Sequence, residues 1–320
     1  MRLRCLLPAV AALAAAACQP AAVAPPVQPS PVPTVRPAAP AQQAPAVPEQ
    51  SAESRSAALF YRRLEQRLVA QGLLRSDGGG GADTAYGPRE LARNFERIAL
   101  FSEYVQVNGR YVAQQSRAQL RRWSVPVRVQ LHFGPSVDSA ARAADTDIVR
   151  AYVARLRRVT GHPMSVVSQG GNYHVFVVNI DEQRALGPAI SAAEPGLSRG
   201  TVAEITSLGK STYCAVYASS TAANPNTYVS AVALIRTEHP DLMRLACYHE
   251  EIAQGLGLAN DSPTARPSIF NDDEEFALLT QHDELLLRML YDRRLSVGMT
   301  AEQARPIIRQ IAGELVGGRT

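Results

Sequence analysis

Little net charge, few cysteines and no internal repeat set the first limits. The formal charge is only +4 over 320 residues, and Arg2 and Arg4 belong to a leader that is removed, which lowers it further. That balance is too weak to argue for a nucleic-acid partner. No Gly-x-Ser-x-Gly elbow occurs and no Ser/His/acid set can be picked out. The glycines at 78–81 lack the lysine and strand context of a phosphate loop, so no nucleotide cofactor is expected. Residues 19–48 hold hardly any charge. Their Pro, Ala, Val and Gln cannot bury a core and favour an extended, polyproline-like spacer.

What is present at the start is a secretory pattern. Arg2 and Arg4 precede an almost wholly apolar run to Ala17, interrupted by Pro8 and ending in small alanines before Cys18. The run is too short to span a bilayer stably. Leu13-Ala14-Ala15-Ala16-Ala17-Cys18 resembles a bacterial lipobox, with Ala15 where a leucine is more usual, and Cys18 is then the lipid acceptor. An ordinary cleaved signal with an incidental Cys18 is the alternative. Gln19 follows the cysteine instead of the Asp that signals inner-membrane retention. The expected location is therefore the periplasm, lipid-anchored, in the outer membrane before the inner. With Cys5 lost and Cys18 acylated, Cys214 and Cys247 remain, and in an oxidising compartment they are expected to form a disulfide.

The expected organisation is a signal peptide over 1–17, a lipid-anchored linker over 18–56, a helix and Gly-rich loop over 57–88, and a domain over 89–320. Apolar spacing predicts helices over 57–73 and 89–104, the first followed by a mobile glycine loop. Alternation predicts a strand over 126–133, then a helix over 139–159. Strands are predicted over 164–167 and 173–179, joined by a turn at Gly170-Gly171-Asn172, and over 212–218 and 229–235, separated by a polar loop. Pro240 opens a further helix to about Gln254. This order predicts an α/β (α+β) fold: a mixed sheet, a long motif-bearing helix and a helical C-terminal part. Basic residues gather over 89–158 and acidic ones over 261–284, which reads as mixed surface charge before a specific anionic partner.

The segment 247–261 reads Cys-Tyr-His-Glu-Glu-Ile-Ala-Gln-Gly-Leu-Gly-Leu-Ala-Asn-Asp. Glu250 and Gln254 share a helix face, with Glu251 one place around, Gly257 three residues after Gln254 and Asn260 three after that. This spacing resembles the zinc helix of zincins, and the extended form found in metzincins, where two histidines hold the metal and a glutamate activates its water. Ser268-Ile269-Phe270-Asn271 resembles the turn that follows that helix, with Phe270 in the methionine place, and 279–291 resembles the closing helix. The chain is also similar to a proteobacterial family, domain of unknown function 2927, many of whose members are classed as lipoproteins. The residues that match are Asn94-Phe-Glu-Arg-Ile98, Arg122-Trp123, Pro126-Val-Arg128, Glu250-Glu251 with Gln254, Leu256-Gly257-Leu258, Asn260-Asp261, Phe270-Asn271-Asp272-Asp273 and Leu290-Tyr291-Asp292. That resemblance carries no activity with it.

Glu250 and Gln254 stand where the zincin histidines would be, and Asn260 replaces the third ligand. Amide oxygens are weak zinc ligands, and His249 has Ala253 four residues on. Two functions follow. The first is a peptide- or protein-binding or assembly factor of the cell envelope, built on a degenerate zincin-like domain with no cofactor. The alternative is a metal-dependent peptidase in which Glu250, Gln254, Asn260 and Asp261 hold a divalent metal through oxygen and Glu251 is the general base. A purely structural role leaves Glu250 and Gln254 satisfying buried groups such as Arg128. Thr280 and Asp283 read as a helix cap, the run 272–275 as a solvated acidic turn, and His132, His162, His174 and His239 as surface or satisfied residues.

Overall fold

The computed structural model describes residues 49–107 and 110–317. The leader, Cys18 and the spacer to residue 48 lie outside them. Within them no helix is long and apolar enough to cross a membrane.

The sheet is mixed and mainly parallel. Strands β3 (Arg122–Trp123), β4 (Val127–Phe133), β5 (Met164–Val166), β6 (Tyr173–Val178), β7 (Ala215–Thr221) and β8 (Asn224–Arg236) build it in the order β5-β4-β6-β8. β3 lies beside the start of β8, and β7 runs antiparallel on the outer side of β8. Parallel neighbours require a crossover. Helix α3 (Ser139–Thr160) supplies it between β4 and β5; Asp138 caps its start by accepting from the Ala141 N–H, and Gly161 ends it in the left-handed region at φ 68°.

β6 is buried at every position, as expected of a strand covered on both faces. Tyr173, Val175 and Val177 join the main core, whereas Phe176 and Val178 face Ile190 and Ile205. Ile190 lies on α5 (Gly187–Ala193) and Ile205 on α6 (Arg199–Ser207), short helices that follow α4 (Ile180–Arg184). On the main face pack α2 (Pro88–Ala99), α7 (Asp241–Gln254), α8 (Gln281–Leu290) and α9 (Ala301–Val316). The α2 stripe Leu91, Phe95, Ile98 and Ala99 is fully buried, each large member contributing about 1.5–3 kcal/mol.

Three expectations change. The segments around Gly170-Gly171-Asn172 are not a hairpin: β5 and β6 flank β4 on opposite sides, Val127 opposite Met164 and Val129 opposite Tyr173. Alternation reveals a strand but not its neighbour. Gly171 lies so close over β4 that a Cβ would sit 2.5 Å from Gln130 Cβ. The helix read over 89–104 stops at Ala99, and β1 (Phe101–Val107) pairs antiparallel with β2 (Arg110–Arg117). The apolar stripe runs unbroken into Phe101, so helical spacing overran the boundary.

Helix α1 (Ala52–Ala70) starts five residues before the stretch read from its periodicity. It docks Ala57, Tyr61, Leu64 and Leu68 on Ile180, Met243 and Ala277. The glycine loop after it is held in place. Leu74 and Arg75 donate to the carbonyls of Glu274 and Glu275 at 2.9 and 2.8 Å, and Gln281 donates to the Gly78 carbonyl at 3.0 Å.

Candidate functional site

α7 leaves the C-terminal end of β8 through Thr237 to Pro240 and buries Met243, Cys247, Tyr248 and Ile252. Its C-terminal end is set by contacts that only glycine permits. Tyr173 Oη donates to the Glu251 carbonyl at 2.6 Å, and a Cβ on Gly255 would lie 2.0 Å from that hydroxyl oxygen. Trp123 Nε1 donates to the Gly255 carbonyl at 2.7 Å. Gly257 has φ 129°, and a Cβ there would meet the Arg121 carbonyl oxygen at 2.2 Å. Backbone geometry thus explains the glycine that the metzincin-like spacing singled out.

Glu250 and Glu251 face the start of β7. Their carboxylate oxygens and Cys214 Sγ lie within 4.8 Å of one another. Cys214, one residue before β7, is disulfide-bonded to Cys247 with Cα atoms 5.9 Å apart, so the edge strand is covalently fixed to α7. Gln254 Nε2 donates to Asp261 Oδ1 at 3.2 Å. From β1 come Glu103 and Tyr104, which the sequence placed in a helix with no hint of a role here. Asp272 and Glu274 approach from the loop before α8, so the acidic turn is not merely solvated.

Six carboxyl groups therefore share one region, and among the described residues the charges that act on Glu250, Glu251 and Asp261 are those of other carboxyl groups. Burial raises Glu251 well above the ordinary range, and the charges of Asp261 and Glu103 push the same way. Glu250 is raised by burial, then by Glu251 and Asp261. Asp261 is pushed up to about 8 by burial, Glu103 and Asp272, against the opposing hydrogen bond from Gln254. Burial raises Glu103 despite a hydrogen bond from Tyr104. Glu251 is 3% exposed, and its Oε2 has no hydrogen-bond partner among the described residues.

The remaining residues named from the sequence divide clearly. Asn260 is fully engaged: Nδ2 donates to the Arg97 carbonyl at 2.9 Å and the Asp261 carbonyl at 2.7 Å, while Oδ1 accepts from Gln115 at 3.3 Å. It clamps the loop to α2 and β2 and is a poor metal ligand. His249 points away; Nδ1 accepts from the Leu279 N–H at 3.0 Å, and its ring stacks on Tyr152 at 4.0 Å. Thr280 caps α8, and the buried Asp283 accepts from Ser268 Oγ, Thr280 Oγ1 and the Ile269 and Thr280 N–H groups. Arg128 is no partner of Glu250 or Gln254: its Nε donates to the Gly170 carbonyl at 2.7 Å.

Glu250 and Glu251 could share a hard divalent cation through oxygen, with Asp261 outside their close cluster. The disulfide sulfur of Cys214 is not a thiolate, and no imidazole joins them, so the donor set does not suit zinc. A family model described as "Protein of unknown function (DUF2927)" matches residues 88–310. No curated protein and no solved structure matches the chain.

Proposed function

The chain belongs to this family, and from that premise we propose that it is a lipid-anchored envelope protein whose zincin-like domain holds an extended, basic peptide segment of a partner protein. The observation that carries this reading is the pair Glu250 and Glu251 at the head of edge strand β7, in no ion pair among the described residues. Among the described residues β7 pairs only with β8, which leaves its outer edge for strand addition. A lysine or arginine beside that edge would meet carboxyl groups whose proton affinity burial and their mutual repulsion have raised. The sheet order, with a reversed edge strand and α7 directly after β8, is compatible with a zincin. The secretory start and Cys18 favour the envelope, the Gln19 rule the outer membrane, and the 19–48 spacer a tethered domain.

The test is fluorescence anisotropy with extended peptides carrying Lys or Arg, and with matched peptides carrying Glu. Basic peptides are expected to bind at least about tenfold more tightly than acidic ones, a preference abolished by Glu250→Gln with Glu251→Gln. Equal binding of both sets sinks the proposal. A second reading rests on the unpartnered Glu251 Oε2. A general base must be ionised, and burial together with the charges of Asp261 and Glu103 works against ionisation of Glu251. A peptidase mechanism here thus needs a divalent cation beside Glu251, whose charge would favour the ionised form of that carboxyl group. Near-stoichiometric metal lost in the same double variant, with peptide cleavage, would replace the binding reading.

A further inference from the structure

On the main face α2 and α9 enclose a groove of about 600 Å³. Arg89, Arg93 and Arg97 line it from α2, Arg305 and Arg309 from α9, over a floor that includes Phe101 and Ile308. Residues four apart share a helix face, so the α2 arginines form a row that rises about 6 Å per step. Glu96 is the acidic residue of the groove, and Arg305 is already spent on it through two hydrogen bonds, at 2.5 and 2.9 Å. Arg97 lies over the Phe101 ring at 5.1 Å. Among the described residues Arg89, Arg93, Arg97 and Arg309 form no salt bridge, and all are exposed. Mixed surface charge, the expectation from the sequence, does not describe a concave groove with one sign in excess.

We propose that this groove binds an anion carrying two or more phosphate groups. A carboxylate presents two oxygens, which one guanidinium fork satisfies. A phosphate presents three acceptors and up to two charges, so arginines from facing helices can share it. The α2 row spans about two such steps, which suits neighbouring phosphates better than a single monovalent ion. Concavity selects a discrete molecule over a flat membrane. The inference is independent of the peptide cleft.

Titration calorimetry of the whole chain with inorganic tripolyphosphate at low salt tests it. One saturable site is expected, weakened at least about tenfold by Arg93→Ala and again by Arg309→Ala, and lost progressively with added salt. Glu96→Gln, which removes the carboxylate and frees Arg305, is expected to tighten binding about threefold. Unchanged affinity in the Arg93→Ala, Arg309→Ala variant overturns the proposal. So does equal binding of a charge-matched polyglutamate peptide, or binding to anionic phospholipid vesicles without binding to tripolyphosphate.

Discussion

Buried carboxyl groups and buried imidazoles pull stability in opposite directions with pH, and this chain holds both. Glu250, Glu251 and Asp261 are raised in the fold, so each keeps a proton that the unfolded chain has released above its ordinary value. Stability from these groups is present in acid and falls as pH rises, for Asp261 until about 8. His249 and His239 are depressed to about 3 and His132 to about 4, chiefly by burial, so they oppose folding as pH falls below their ordinary 6.5. Towards pH 8 these three histidines are largely neutral in both states, and the carboxyl groups dominate. Urea denaturation is expected to show stability falling there by up to about 1.4 kcal/mol per pH unit for each retained proton. Glu251→Gln should flatten the slope; an unchanged slope would mean that Glu251 ionises freely in the fold.

The elements around Glu250 and Glu251 show what could be read from one sequence. α3 and β8 carry clear periodicity, Asp138 caps α3, α7 lies between Pro240 and Gly255, and the Cys214–Cys247 bridge followed from redox compartment and cysteine count. The contribution of β1 had no such signal, because Phe101 and Tyr104 continue the α2 apolar pattern and nothing in the spacing shows the reversal. Register across β4 was also hidden, since parallel pairing is a long-range choice. Asn260 looked like a ligand because spacing records position and not hydrogen bonding; its amide serves the Arg97 and Asp261 carbonyls. The disulfide joins β7 to α7 across 33 residues, and its removal should cost about 3–4 kcal/mol. Urea midpoints of the oxidised chain and of Cys214→Ser with Cys247→Ser measure this. A difference below about 1 kcal/mol would mean that packing alone sets the edge strand.

The described fold is completed by a helix that sequence reading left apart from the domain. α1 covers Ile180, Met243 and Ala277, and Ser54 Oγ donates to the buried Glu238 at 2.8 Å. Tyr61 donates to the Lys210 carbonyl at 2.8 Å and meets the His239 ring edge-on at 4.3 Å. Removing residues 1–70 is expected to lower the melting temperature by several degrees, since uncovering these side chains costs several kcal/mol. It should also speed hydrogen exchange in α4 and the first turn of α7; unchanged exchange there would mean that α1 is only loosely held.

That docking also has a mechanical side. Any pull on the chain at residue 49 enters the body at Ser51, whose N–H donates to Asp181 at 2.9 Å, and then at Ser54. Load would reach the contacts of α1 one after another from its first turn, peeling the helix before straining the sheet. α1 would yield like a seam opened from one end, and the edge strand tied to α7 by the disulfide would keep its place.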